Sequence, residues 1–228
     1  MNTVQVVCVR MCNVLGLWLA AGCGSYEWYV HGMGSNTGTK EGRPRDAAIS
    51  RALIRAAERL MESDGFDKLT VDGIVSEVGT TRQTFYRRYK SVSLLALEIL
   101  LERFGRQEEI DTGNLSSDLL ELLRTDVAMM TSPLIRKNLT GLLEDMRTDD
   151  EIRARYLKEV IYSRREVVSR VLERAKARGE ITRDDTDSEY ICDLMFGPAL
   201  SRVVLQTGAP IDDRLARQIV ASLMRELC

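Results

Sequence analysis

The sequence predicts an all-α fold, on three observations. Only four prolines occur in 228 residues. Beyond the first ten residues, β-branched residues never run in sustained alternation. From Asp46 onward, apolar residues recur at steps of three and four, the period of a helix with one buried face. The composition is that of an ordinary globular chain, 44% hydrophobic and 29% charged. The length suits one large domain or two small ones. Lys+Arg is 32 against 34 Asp+Glu, a net charge of −2, so any nucleic-acid site must be a local patch. The single histidine, His31, lies in an atypical N-terminal stretch. Ser-His-Asp and Cys-His catalysis and His-based zinc sites are thereby excluded from the rest of the chain. No enzymatic activity, cofactor or metal is expected.

Residues 1–39 differ in character from the rest of the chain. Val14–Gly22 reads VLGLWLAAG, too short for a membrane span and about the length of a signal-peptide core. Leu19-Ala-Ala-Gly-Cys23 resembles a lipoprotein processing site, but Arg10 is the one cation before it and Ala20 stands where a larger aliphatic is usual. A start of translation at Met33, or a disordered leader, is the preferred reading over export. The glycines at 32, 34 and 38 before Thr39-Lys40 have the wrong spacing for a phosphate loop, and a flexible linker is expected. The five cysteines (8, 12, 23, 192 and 228) form no C-x-x-C pair, which argues against a disulfide framework and for a reducing compartment.

The first helix starts near Asp46, with Ile49, Leu53, Ala56, Ala57, Leu60 and Met61 on one face. Ser63-Asp64-Gly65 ends it, Gly65 taking the left-handed terminal conformation and Phe66 and Leu69 folding back onto the apolar face. Thr70 caps a short second helix whose buried side is Ile74, Val75 and Val78. Gly79 breaks it. Thr80 or Thr81 caps a third helix, residues 82–89. Two short helices joined by a turn containing glycine make a helix-turn-helix. In the third, Phe85 and Tyr89 pack inward, which turns Arg82, Gln83, Tyr86 and Arg87 outward. Arg can fork onto guanine and Gln can pair with adenine, while Tyr and Thr hydroxyls, here Thr81, Thr84 and Tyr86, can hold phosphates. Residues 79–93 carry Arg82, Arg87, Arg88 and Lys90 and no acid. The alternative is a solvated charged face on a small helix.

A connecting helix is expected over 92–104 and a loop over 107–114. Two more helices are expected at 115–130 and at 133–146, the latter with Pro133 in its first turn. A long helix spans about Asp149 to Arg178 and is closed by Gly179. Another runs from Asp184–Asp187 to Thr207, where Pro198 should kink it or widen one turn. The last spans 211–227. Arg164 falls on the apolar stripe of the long helix, and a buried Arg needs an anion: Glu144 or Asp145, or else an acidic ligand. Cys192, among apolar residues, reads as a buried inert thiol.

Residues 43–100 resemble the DNA-binding domain of the TetR family of transcriptional regulators. The residues that carry the likeness are Arg43-Pro44-Arg45, Gly65-Phe66-Asp67-Lys68-Leu69-Thr70, Ile74, Gly79 and Thr84-Phe85-Tyr86-Arg87-Arg88-Tyr89. Residues 132–227 resemble a C-terminal domain found in part of that family, through Ser132-Pro133-Leu134, residues 172–180, Gly197-Pro198 and Thr207-Gly-Ala-Pro210. After the disordered or mis-assigned leader (1–39), the resemblance implies a helix-turn-helix domain (40–91) and a helical effector-binding and dimerisation domain (92–228). It implies a cytoplasmic homodimer without a membrane segment. Each subunit lays its third helix in a major groove of a palindromic double-stranded DNA operator, as a repressor released by an unidentified small-molecule effector. Thr70 and Tyr86 then hold phosphates, and the arm of Arg43 and Arg45 follows the DNA backbone. The family usually has Lys where this chain has Val92, and Lys90 is the expected replacement. The last two helices become the dimer interface through Leu194, Pro198, Val203 and Leu205, then Leu215, Ile219, Leu223 and Met224, the alternative being an intramolecular core. A ligand pocket is implied among residues 92–178, with Phe104, Met129, Met130, Met146, Tyr156 and Arg164 as wall candidates, each otherwise plain core. The rival reading is an exported lipoprotein whose helical domain binds a ligand or partner.

Overall fold

Ten α-helices, and no strand, make up the residues that the computed structural model describes: 44–105, 109–183 and 187–228. The expectations about residues 1–39, and about Arg43, lie outside them. Helix α1 (Pro44–Ser63) buries Leu53, Ala56, Ala57 and Met61 completely. At its end Asp64 and Gly65 both donate backbone N–H groups to the Leu60 carbonyl. Gly65 has φ +82° and ψ −179°, a positive φ but an extended ψ rather than the left-handed helical geometry expected. That conformation launches a 3₁₀ turn (Phe66–Lys68). Leu69 is buried as expected, whereas Phe66 lies against Gly141 of a later helix.

Helix α2 (Val71–Val78) is capped by Thr70, whose hydroxyl accepts from Gly73 N, and ends at Gly79 in the left-handed conformation. Helix α3 (Arg82–Tyr86) is capped by Thr81, which accepts from Thr84 N. It is shorter than the stretch 82–89 expected, although one more turn is closed by Arg88 and Tyr89 donating to the Phe85 carbonyl. Helix α4 (Val92–Phe104) starts at Ser91, whose hydroxyl accepts from Leu94 N.

Helices α5 (Leu115–Thr131) and α6 (Pro133–Thr148) share Ser132, the C-cap of one and the N-cap of the other. The long helix is real but not uniform. Helix α7 (Asp150–Tyr156) runs into a π-helical stretch (Leu157–Tyr162) and then into α8 (Ser163–Ala177). Gly179 closes it with φ +76°. Helix α9 (Ser188–Val204) remains α-helical through Pro198, so the widened turn expected there occurs instead at 157–162. Helix α10 (Asp213–Leu227) is capped by Asp212. Asp118 is fully buried at the start of α5, where Thr112 donates to it through both its backbone N–H and its hydroxyl.

Helix α10 packs on α5 and α9 of its own chain. Its stripe Leu215, Ile219 and Leu223 is buried there, as is Val203 of α9. The family resemblance puts these four at a dimer interface; in the structure their amphipathic pattern is already met by burial inside one chain.

Helix α6 holds the end of α1. Lys137 Nζ donates to the Glu62 and Ser63 carbonyls at 2.7 and 2.9 Å, and buried Asn138 Nδ2 donates to the Met61 carbonyl at 2.9 Å. One turn on, Gly141 meets the ring of Phe66, and a Cβ at 141 would stand 2.3 Å from its Cδ1. Gly141→Val is therefore expected to cost about 1–3 kcal/mol through overpacking. Chemical denaturation of that variant, of Phe66→Ala and of the pair should show the penalty largely removed once the ring is gone.

Candidate nucleic-acid interface and effector cavity

The candidate reading surface is built on one buried ring. Phe85 is fully buried and meets Tyr86 edge-on, with centroids 5.5 Å apart, and Tyr89 at 5.7 Å. Burial raises the phenol pKa of Tyr89. With Phe85 as anchor, Arg82, Gln83, Tyr86 and Arg87 are exposed, as the sequence predicts, and Tyr86 shows 56% of its surface. Thr70 and Thr81 are exposed at the two helix N-termini, and Thr84 is half-buried with its hydroxyl 3.1 Å from that of Thr81. The structure thus gathers Thr70, Thr81, Arg82, Gln83, Thr84, Tyr86 and Arg87 in the α2–α3 unit. Arg45 lies in the first turn of α1, and only its backbone is described.

Arg88 differs from its neighbours. Its side chain is only 10% exposed. Nε donates to Ser50 Oγ at 3.1 Å, Nη1 to the Thr84 carbonyl at 2.9 Å and Nη2 to Asp46 at 2.6 Å. It ties α3 to α1, where the sequence alone groups it with the DNA-facing cations. The exposed cations also have partners. Arg82 grips Asp72 of α2 with two nitrogens, which lowers the Asp72 pKa and raises that of Arg82. Arg87 reaches Asp46 at 3.5 Å, and Lys90 meets both Glu151 oxygens at 2.7 and 2.8 Å. Solvated pairs of this kind are weak and screened, so a phosphate or a base edge can take the cation over.

The second feature is a partly enclosed apolar cavity. Its walls come from α4, α5, α6, the end of α7, the π stretch, α8 and α9. Phe104, Met129, Met130, Tyr156 and Arg164 all line it, five of the six residues expected. Met146 does not; it is buried in the core of α6. Sequence reasoning missed Phe196, which contributes from α9 with its ring centroid 5.5 Å from the Arg164 guanidinium carbon.

Arg164 is buried, but its anion is Asp126 of α5 rather than Glu144 or Asp145. Glu144 pairs with Arg147, and Asp145 accepts from Ser93. The guanidinium holds Asp126 with both terminal nitrogens, and Nε is left buried without a partner among the described residues. Burial pushes the Asp126 carboxyl up to about 6, against the opposing pull of Arg164. A carboxyl raised on folding contributes stability that is complete below its unfolded pKa and is lost as pH rises through the folded value. The groups with lowered pKa, Asp72, Glu180 and Asp213, act below that window. Stability should therefore fall as pH rises from the ordinary carboxylate range through about 6. Denaturant titrations across that range should show the slope abolished in the double variant Asp126→Leu/Arg164→Met. An unchanged slope would contradict the assignment.

No helix of the described residues is long and apolar enough to cross a membrane, and none of their His, Cys, Asp and Glu side chains gather in threes that could hold a metal. Similarity to known proteins bears on the same two features. Residues 53–99 match the bacterial regulatory proteins of the tetR family, and residues 109–223 match the tetracyclin repressor-like C-terminal domain. An uncharacterized HTH-type transcriptional regulator of Bacillus subtilis (strain 168), YdeS, is 27% identical over 191 residues, 82% of this chain and 93% of that protein. The DNA-binding transcriptional repressor TetR of Mycobacteroides abscessus is 28% identical over 186 residues, 79% of this chain and 94% of its own length. Among solved structures, the TetR family transcription regulator SCO0332 superposes with a TM-score of 0.59 at 26% identity, covering 79% of this chain and 98% of its own. A glycine-broken helix pair anchored on Phe85, followed by a helical body enclosing an apolar cavity, thus coincides with both matched regions: the chain belongs to the TetR family of DNA-binding transcriptional regulators.

Proposed function

We propose that the chain is a ligand-responsive repressor that binds a palindromic operator as a homodimer. Residues 40–91 form the DNA-binding part, and 92–228 the effector-binding and dimerisation part. The observation that carries this is the exposed row Arg82, Gln83, Tyr86 and Arg87 on a helix fixed by buried Phe85. A bidentate Arg and a Gln are what major-groove edges accept, and Tyr86, Thr70 and Thr81 supply phosphate contacts with Lys90 beside them. Arg88 sets the angle of α3 on α1. The Mycobacteroides abscessus relative, a DNA-binding repressor by name, supports repression over activation. Binding DNA places the protein in the cytoplasm.

The second copy docks on α9. Its outward face carries Tyr190, Leu194, Gly197, Ser201 and Val204, with Leu205, 70% exposed, at its end. Gly197 sits at the centre of that face, and a Cβ there would meet nothing of its own chain within 4 Å. A mid-helix glycine costs about 1 kcal/mol relative to alanine, and close approach of the two-fold related helix is what gives it a use. Of the residues expected at the interface from the sequence, Leu194, Pro198 and Leu205 remain on it, and half-buried Met224 borders it. A ligand in the cavity acts by differential affinity, favouring the dimer form whose reading helices miss successive grooves. The cavity walls α4 and α6 are the helices packed on α1.

The test uses DNA fragments selected from genomic DNA by the purified protein, titrated beside scrambled DNA at two salt concentrations. Arg82→Ala should weaken operator binding roughly tenfold to a hundredfold per half-site and relax one base position. Tyr86→Phe should weaken binding to all sequences alike and leave the salt slope unchanged, since it removes no charge. If Arg82→Ala binds both DNAs like the parent, α3 is not the reader.

Gly197→Arg is the matching test of the dimer. The monomer fold should hold, because the site is open and arginine is the better helix former. Sedimentation should then show a monomer that still unfolds cooperatively; a variant that stays dimeric would contradict the assignment of α9. Ile219→Glu, by contrast, should unfold the chain, since Ile219 lies in its own core.

A further inference from the structure

The cavity has a chemical bias. It is lined almost wholly by apolar side chains, with Arg164 as its buried cation. That cation is already matched by Asp126, which holds both terminal guanidinium nitrogens. Glu159, the acid of the lining, is matched in turn by Arg155 at 3.0 Å, and Arg155 also faces Glu98 at 3.8 Å. Counted together, Arg164, Asp126, Glu159, Arg155 and Glu98 carry no surplus positive charge. An anionic group entering the cavity would lose its hydration and meet no free cation to replace it. Among the fully buried polar atoms, Arg164 Nε is without an acceptor; the Tyr156 and Ser163 hydroxyls also line the cavity. A buried donor left unpaired favours any acceptor brought within reach, even at the cost of a small side-chain shift. Phe196 over the guanidinium adds a flat apolar face at the same end of the cavity.

We propose that this cavity takes an uncharged, largely apolar molecule bearing one acceptor oxygen, seated against Arg164, and that Asp126 makes it reject apolar acids of the same shape. The proposal rests on the reading of the chain as an effector-responsive regulator and specifies the effector's chemistry. Asp126 is thus a specificity residue. It removes from Arg164 the charge that would otherwise recruit a carboxylate, and leaves the side-on N–H as the recognition element.

Three naphthalenes of one shape separate the terms: 2-acetylnaphthalene, 2-ethylnaphthalene and 2-naphthoate. Each is titrated into the full-length protein at pH 8 by displacement of the neutral fluorophore N-phenyl-1-naphthylamine. The ketone should bind about fivefold more tightly than the hydrocarbon and at least tenfold more tightly than the carboxylate. In Asp126→Leu/Arg164→Met, whose pair is replaced by apolar side chains of similar bulk, ketone and hydrocarbon should bind alike. In Asp126→Asn the order should turn, naphthoate gaining at least tenfold on the ketone; a gain of this kind cannot arise from misfolding. Naphthoate binding the parent as tightly as the ketone, a ketone preference that survives in the double variant, or no displacement by any of the three would each overturn the proposal. Operator titrations on the same preparations keep the two readings apart. Intact DNA binding with any of those results sinks the effector chemistry alone, whereas loss of sequence-selective DNA binding in the parent sinks the regulator reading.

Discussion

The last carbonyls of a helix have no partners within it, and the whole arrangement of this molecule depends on where α1 finds donors for them. They come from α6, through Lys137 and Asn138. The Lys137 bonds lie at the exposed end of the helix, but leaving the Asn138 bond unmade would strand the Met61 carbonyl in a buried interface. Gly141 lets the two segments approach closely enough for those bonds to form. As a result α3 is not a module on a loose tether. It is fixed to α1 through Arg88, α1 is fixed to α6, and α6 supplies Ile135 and Leu139 to the cavity wall. A change of packing in the cavity wall therefore has a short and stiff route to α3.

Charge is used in two ways in this chain. On the reading surface each cation rests against an acid in water: Arg82 on Asp72, Arg87 on Asp46, Lys90 on Glu151. Such contacts hold side chains loosely and yield to a stronger anion. At the cavity the Arg164–Asp126 pair is removed from water, and there neither partner is free to leave without stranding the other. The first kind suits a surface that must exchange partners, the second a wall that must keep its shape.

What the sequence disclosed divides by the distance between cause and effect. The helix-turn-helix is readable because its determinants are local: Thr70 and Thr81 accept from N–H groups three residues on, Gly79 supplies the left-handed turn, and Phe85 with Tyr89 fixes which side of α3 faces out. For the cavity, helical phase marks Arg164 as facing inward, whereas Phe104, Met129, Met130 and Tyr156 become wall candidates only through the family resemblance. What is not readable depends on residues far apart in the chain. Arg164 and Asp126 are 38 positions apart, Arg88 and Asp46 are 42, and Asn138 and Met61 are 77. The stripe Leu215, Ile219 and Leu223 shows why an amphipathic pattern identifies a buried face without saying what buries it. Met146 belongs to the same lesson, in phase with its neighbours yet turned into the core.

The π-helical stretch from Leu157 to Tyr162 bears on how this chain can vary in length. In an ordinary α-helix, losing one residue rotates everything beyond it by about 100° and would carry Arg164 off its face. A π turn already holds one residue more than an α turn closed over the same span. Removing a residue here would collapse the turn to α-helix and keep Ile152 on one side and Val168 on the other in register. The cavity wall, where Glu159, Val160 and Ile161 lie, is thus the stretch of this rod where a single-residue deletion can reshape a binding surface while the core on either side keeps its phase.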